Sequence, residues 1–230
     1  MGALPAEPAV VFDMDGVIVD SEPLWIEARQ DLVRAEHGRW IPEADTAMMG
    51  IGSDLWSAYM RDHLGLGHLS AERIRDEVIA RMVARYGHSV PLIPGARAAV
   101  EALGRRWRLA IASGSDRVLL DAVLASSGLR DAFAATVSAE EVDEGKPSPL
   151  IYREACRRLG ARPEACAAVE DSGSGIASAL AAGMKVIAVP RRGFEPDRAI
   201  LGRATLVLAD LGQLTPDVVE RLLHQGSDRG

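Results

Sequence analysis

The alternation of short apolar runs with amphipathic stretches is what most constrains this chain. Ala9–Phe12 is the first run, uninterrupted and rich in β-branched residues, and it stops abruptly at Asp13-Met14-Asp15-Gly16. Such a run reads as a strand buried on both faces that hands over to a loop. Similar runs recur at 109–112, 134–137, 167–169, 186–189 and 205–208. Helical patterns separate them. One covers 96–103. A second is Arg117–Ser127, with Asp116 as expected N-cap and Gly128 at its end. A third covers 148–160, with Ser148 as N-cap, Pro149 in first position and Gly160 as its stop. The pattern at 174–182 ends at Gly183, and one opened by Thr215-Pro216 closes at Gly226. Strands alternating with helices predict an α/β fold in which a parallel sheet is covered on both faces.

From 21 to 90 this alternation breaks and only helical periodicity remains. Leu24, Ala28 and Leu32 share one face, and Leu55, Trp56, Tyr59, Met60 and His63 share another. After Ser70 as N-cap, Ile74, Val78, Val83 and Tyr86 form a third, joined by Ile79 and Met82. The segment is read as a helical subdomain, 21–90, inserted into a core made of 1–20 and 91–230, with Pro91 and Pro94 marking the return. The two ends, 1–8 and 226–230, are expected to be loose.

Composition removes several classes. Apolar residues make up 48% and charged residues 26%, which excludes a disordered chain. A net charge of -7 argues against a general nucleic-acid binder. No apolar run reaches the roughly 18 residues of a membrane span, and the first ten residues lack the basic and apolar regions of a secretory signal. The two cysteines, Cys156 and Cys166, make neither a disulfide framework nor a C-x-x-C pair, and burial as small hydrophobes is expected for both. A reduced, cytoplasmic protein is the default, with its oligomeric state open.

In parallel sheets ligands bind beyond the carboxyl ends of the strands. The polar residues there are Asp13 and Asp15 after the first run, Ser113 and Gly114 after the second, and Glu170 and Asp171 after the fourth, with Lys146 in the loop before the 148–160 helix. Converging carboxylates call for a hard divalent cation, and Mg²⁺ takes oxygen ligands. A carboxylate can also attack phosphorus, while a lysine and a hydroxyl hold phosphoryl oxygens. The set points to phosphoryl transfer on a small phosphorylated metabolite.

The same residues carry a resemblance. Asp13-Met14-Asp15-Gly16-Val17-Ile18-Val19-Asp20-Ser21 resembles the first motif of the haloacid dehalogenase superfamily of phosphotransferases. Ser113 fits the second motif, Lys146 in Gly145-Lys146-Pro147 the third, and Glu170-Asp171-Ser172-Gly173-Ser174-Gly175 the fourth. The insertion resembles the superfamily's helical cap. The resemblance implies a Rossmann-like three-layer core with an inserted α-helical cap, and it implies roles. Asp13 would be the nucleophile and a Mg²⁺ ligand. Asp15 would be general acid and then base, lending its backbone carbonyl to the metal. Asp171 would be a direct ligand and Glu170 would act through water. Ser113, the Gly114 N–H and Lys146 would hold the phosphoryl group.

Within the superfamily, Asp15 sets the chain apart from dehalogenases. Its two lysines, Lys146 and Lys185, lie outside the insertion, unlike the cap lysine of phosphonoacetaldehyde hydrolases. The cap histidine and cap arginine of β-phosphoglucomutases align with Trp25 and Ser53. Asp20-Ser21-Glu22-Pro23-Leu24-Trp25, and more loosely 50–56, resemble sugar-phosphate phosphatases. The expected reaction is therefore Mg²⁺-dependent hydrolysis of a sugar or polyol phosphate through an aspartyl-phosphate, with a phosphosugar mutase as the alternative. Trp25, Met49 and Ser53 are the expected substrate contacts from the insertion. Trp56 and Met60 read rather as core. A rival of another class, an NADP-binding oxidoreductase, rests on the glycine-rich run at 173–178 with Arg191-Arg192 beyond the next strand. It suffers from Ser178 in place of a third glycine and from the acids beside the would-be pyrophosphate.

Overall fold

The computed structural model describes residues 7–49, 51–193 and 195–224. The expectations for most of the termini, for Gly226 and for Gly50 lie outside them. The elements in chain order are β1 (Ala9–Phe12), α1 (Glu22–Ala35), α2 (Glu43–Ala47), α3 (Ser53–His63), α4 (Ala71–His88), α5 (Ala96–Gly104), β2 (Arg108–Ser113), α6 (Arg117–Ser127), β3 (Ala135–Ser138), α7 (Leu150–Leu159), β4 (Ala167–Glu170), α8 (Gly173–Ala182), β5 (Lys185–Ala188), α9 (Arg198–Leu201), β6 (Leu206–Val207) and α10 (Pro216–His224). Among the described residues no helix is long and apolar enough to cross a membrane.

The strands form one six-stranded parallel sheet in the order β3-β2-β1-β4-β5-β6. Both faces of the central strand are buried, so β1 is apolar throughout rather than alternating. In β1, Val10 and Phe12 face a core with Val100 and Leu103 of α5, Leu120 of α6 and Leu222 of α10. Ala9 and Val11 face the opposite core, with Tyr152 and Ala155 of α7 and Ile176 of α8. The result is a three-layer Rossmann-like core. Its strand order reverses between β1 and β4, and a crevice opens there beyond the strand ends.

Among the described residues, 22–88 contribute four helices and no strand. α1 and α3 pack on α4, and α4 packs on α6 of the core. Ser70 caps α4 as expected, its Oγ accepting the Arg73 N–H at 3.1 Å. Trp56 and Met60 are buried, but Leu55, expected on the same face, is 64% exposed. It sits one step round from the stripe that meets α4, at the wall of a cavity.

One expected cap is displaced and another lacks its side-chain bond. α7 starts at Leu150 with Pro149 at its N-cap, and the Ser148 carbonyl instead accepts the Ser178 hydroxyl at 2.6 Å. Asp116 does occupy the N-cap of α6, but it caps no N–H with its side chain. Its carboxylate is held by Arg75 of α4 at 3.0 Å, a charged donor that outcompetes a backbone amide. Cys156 and Cys166 are free and buried, as expected.

Candidate active site

The Asp13 N–H donates to the Val169 carbonyl at 2.9 Å, extending the pairing of β1 with β4 by one residue and fixing the carboxylate at the crevice. The chain then turns tightly. Gly16 adopts φ +85°, and the amides of Ile18 and Val19 return to the Met14 carbonyl at 2.8 and 3.0 Å. Met14, Val17 and Ile18 are buried, which anchors the loop from below.

Lys146 bridges Asp13 and Glu170, donating at 2.5 Å to Asp13 Oδ1 and at 2.6 Å to Glu170 Oε1. Glu170 is fully buried at the end of β4 and fully bonded. Its Oε1 also accepts the Tyr152 hydroxyl at 2.7 Å, and its Oε2 accepts the N–H groups of Asp171 and Ser172 and the Ser172 hydroxyl at 3.0–3.2 Å. A Cβ at Gly175 would stand 1.7 Å from Glu170 Oε1, so the glycine of that turn serves this carboxylate. A Cβ at Gly16 would stand 1.9 Å from Asp171 Oδ2, so Asp171 lies directly over the first loop. Asp15 points elsewhere: its Oδ2 accepts the hydroxyls of Ser115 at 2.7 Å and Ser113 at 3.4 Å, and its buried Oδ1 has no partner.

One carboxylate oxygen from each of Asp13, Glu170 and Asp171 falls within 4.8 Å of the others. Three buried hard oxygen donors with one lysine fit a divalent cation such as Mg²⁺. The side chain of Asp15 stands outside this trio, leaving its carbonyl as the atom expected to contribute. Burial drives the Asp13 carboxyl well above the usual range, against the pull of Lys146 and with further push from Glu170 and Asp171. Burial and then Glu170 raise Asp171 to about 7. Burial works to lower Lys146, but Asp13 and Glu170 outweigh it and hold the ammonium above its ordinary value.

Above these groups lies a cavity of about 700 Å³ between the sheet end and the 22–88 helices. Asp13, Asp15, Gly114, Lys146 and Asp171 line its floor, and Trp25, Met49 and Ser53 line the opposite wall, as expected from the sequence. Trp56 is both core and wall, so its assignment to core alone was incomplete. Ser113 and Glu170 are fully buried behind the floor; Ser113 accepts the Ser115 N–H at 3.0 Å and reaches Asp15 rather than the open space.

Sequence reasoning missed Ser115 and the role of Glu22, and it considered Arg29 only as a conceivable clamp for a second phosphate. Ser115 was signalled by its place two residues past Ser113, and Glu22 and Arg29 by their i, i+3, i+7 relation to Trp25 on α1. Arg191, weighed only as a nucleotide contact, lines the same cavity and is ion-paired with Asp20.

A family model described as haloacid dehalogenase-like hydrolase matches residues 8–183. Hexitol phosphatase B of Escherichia coli O157:H7 is 35% identical over 214 residues, covering 90% of this chain and 94% of the relative. Fructose-1-phosphate phosphatase YqaB of Escherichia coli K12 is 30% identical, covering 78% of this chain and 95% of the relative. Among solved structures, CbbY from Rhodobacter sphaeroides in complex with phosphate superposes with a TM-score of 0.83 at 26% identity, covering 94% of this chain and 99% of that one.

Proposed function

Because the chain belongs to the haloacid dehalogenase-like hydrolases, we propose that it hydrolyses a small phosphate monoester, a sugar or polyol phosphate, through a phosphorylated Asp13. The observation that carries this reading is the placement of Asp13 and Asp15 on the floor of one cavity, with Lys146 2.5 Å from Asp13. The names of the hexitol and fructose-1-phosphate phosphatases support the substrate class.

In this reading an Asp13 carboxylate oxygen attacks phosphorus and the ester P–O bond breaks. Asp15 gives its proton to the departing alcohol oxygen. Asp15 then takes a proton from water, whose oxygen attacks the same phosphorus. The bond to Asp13 breaks, inorganic phosphate leaves, Asp13 returns as the carboxylate and Asp15 as the protonated acid. Ser115 and Ser113 hold Asp15 toward the leaving group. Lys146, with the backbone N–H groups around Gly114, would balance the charge on the phosphoryl oxygens. Asp13, Asp171, Glu170 and the Asp15 carbonyl would hold Mg²⁺, which when bound supplies positive charge against the phosphoryl oxygens. Segment 21–90 acts as a cap domain over the core formed by 1–20 and 91–230, keeping bulk water from the reacting centre. The oxidoreductase alternative loses its phosphate loop, since Gly175 leaves room for the Glu170 carboxylate rather than for a pyrophosphate.

The test is phosphate release from a panel of phosphorylated sugars, polyols and nucleotides, with Mg²⁺ and with chelator, for the parent chain and Asp13→Asn. Hydrolysis should require Mg²⁺ and should fall at least a thousandfold in the variant, because an amide is a poor nucleophile. Turnover that survives exhaustive chelation, or an Asp13→Asn protein with near-normal rate, overturns the reading.

A further inference from the structure

Helix α1 turns one stripe toward the cavity: Glu22, Trp25 and Arg29, at positions i, i+3 and i+7. Arg29 is only 4% exposed, yet its Nε and Nη1 find no hydrogen-bond partner among the described residues. Its guanidinium lies 5.1 Å from the ring centres of both Trp25 and Trp56, which are themselves 5.9 Å apart, so two indoles hold it in place from the sides. Burial lowers its pKa to about 10, which leaves it cationic at neutral pH. Glu22 Oε1 and Asp45 Oδ1 are likewise buried without hydrogen-bond partners, and both carboxylates act electrostatically on Arg29. A native protein seldom buries charged donors and acceptors side by side unpaired unless something else completes them.

We propose that Arg29 and Glu22 form the subsite that recognises the neutral, polyhydroxylated end of the substrate. This rests on the phosphatase reading and deepens it. The chemistry of the cluster selects the ligand. A second phosphate or a carboxylate would meet Arg29 but also the unpaired oxygens of Glu22 and Asp45. A cationic head would meet Arg29. A hydroxyl suits both, because it donates to a carboxylate and accepts from a guanidinium at once. Trp25 and Trp56 supply apolar surface for the carbon chain between hydroxyls. Arg29 is thus a specificity-determining residue, remote from the reacting phosphorus.

The experiment compares kcat/KM for three esters, a hexitol 6-phosphate, a hexose 1,6-bisphosphate and p-nitrophenyl phosphate, in the parent chain, Arg29→Gln and Glu22→Gln. Thermal melts establish that each variant is folded, and the two positions serve as independent probes. The parent should prefer the hexitol monophosphate to the bisphosphate. Each variant should lose at least tenfold in the ratio of hexitol phosphate to p-nitrophenyl phosphate, chiefly through KM, and Glu22→Gln should improve the relative use of the bisphosphate. Ratios unchanged in both folded variants, or a parent that prefers the bisphosphate, overturn the subsite. Failure to hydrolyse any of the three esters overturns the phosphatase reading beneath it, which is a different result.

Discussion

Two residues carry unusual demands on the site. Gly16 sits at φ +85°, where an L side chain costs about 1–2 kcal/mol, and any Cβ there would overlap Asp171 Oδ2. Gly16→Ala therefore displaces a carboxylate of the acidic trio as well as straining the turn. It should raise the Mg²⁺ concentration needed for half-maximal activity by at least tenfold, read from a metal titration, and lower the melting temperature by a few degrees. Asp171 carries the pH dependence. Its folded pKa is raised to about 7 while its unfolded value is near the ordinary 3.8. Between those values the folded state holds a proton that the unfolded state has released, so the metal-free fold loses stability as pH rises toward 7. Asp13, pushed the same way, adds to the loss. A cation binding the ionised carboxylates reverses it. Mg²⁺ at a hundredfold excess over its Kd should add about 2.7 kcal/mol, roughly 5–10 °C in Tm, at pH 8, and much less at pH 5. A Mg²⁺ shift independent of pH would remove Asp171 and Asp13 from the metal site.

At the scale of elements, the strands and most helices were legible because their signals are local: β1 ends where apolar residues end, and α6, α7 and α8 stop at Gly128, Gly160 and Gly183, all in the left-handed region. The floor of the site was legible for the same reason, since each strand delivers its polar residues to one edge of the sheet. Partners chosen across the molecule were not. Asp116 looks like a helix cap until Arg75, forty-one residues away in sequence, claims it. The burial of Arg29 has no local signal either, because Trp56, which closes over it, arrives from α3. Arg75 ties α4 to the core through Asp116, with Glu140 at 3.7 Å. Removing it leaves a largely buried carboxylate without its charged donor, at a cost of about 1–2 kcal/mol. Arg75→Ala should speed amide exchange in α4 while leaving β1 protected, measured by hydrogen-exchange mass spectrometry. Unaltered exchange in α4 would mean that the apolar contacts with α6 alone fix the helix.

The molecule as a whole must decide where the phosphoryl group goes after Asp13. The two chains joining 22–88 to the rest run side by side: the Asp20 N–H donates to Pro91 O at 2.8 Å, the Ile93 N–H to Ile18 O at 2.9 Å, and Val19 bridges Leu92 in antiparallel register. For the cap closure proposed above, this paired ribbon is the expected pivot. A mutase needs that closure to exclude water and to grip a second phosphate at the far end of the sugar. Here the cap wall offers Trp25 where proton relay by histidine would be needed, and Ser53 where an arginine would clamp. Other arginines of the insertion make no better clamp, because Arg61 pairs with Asp62 at the exposed surface and Arg29 shares its corner with Glu22 and Asp45. Without a second phosphate clamp among the described residues of 22–88, phosphorylated Asp13 should be discharged by water. β-Glucose 1-phosphate supplied with a catalytic amount of the 1,6-bisphosphate, with both products followed in time, decides the matter. Free phosphate should be the main product. Glucose 6-phosphate formed tenfold faster than phosphate would reverse the assignment and require that Arg29, despite its acidic neighbours, grips the second phosphate when the cap is closed.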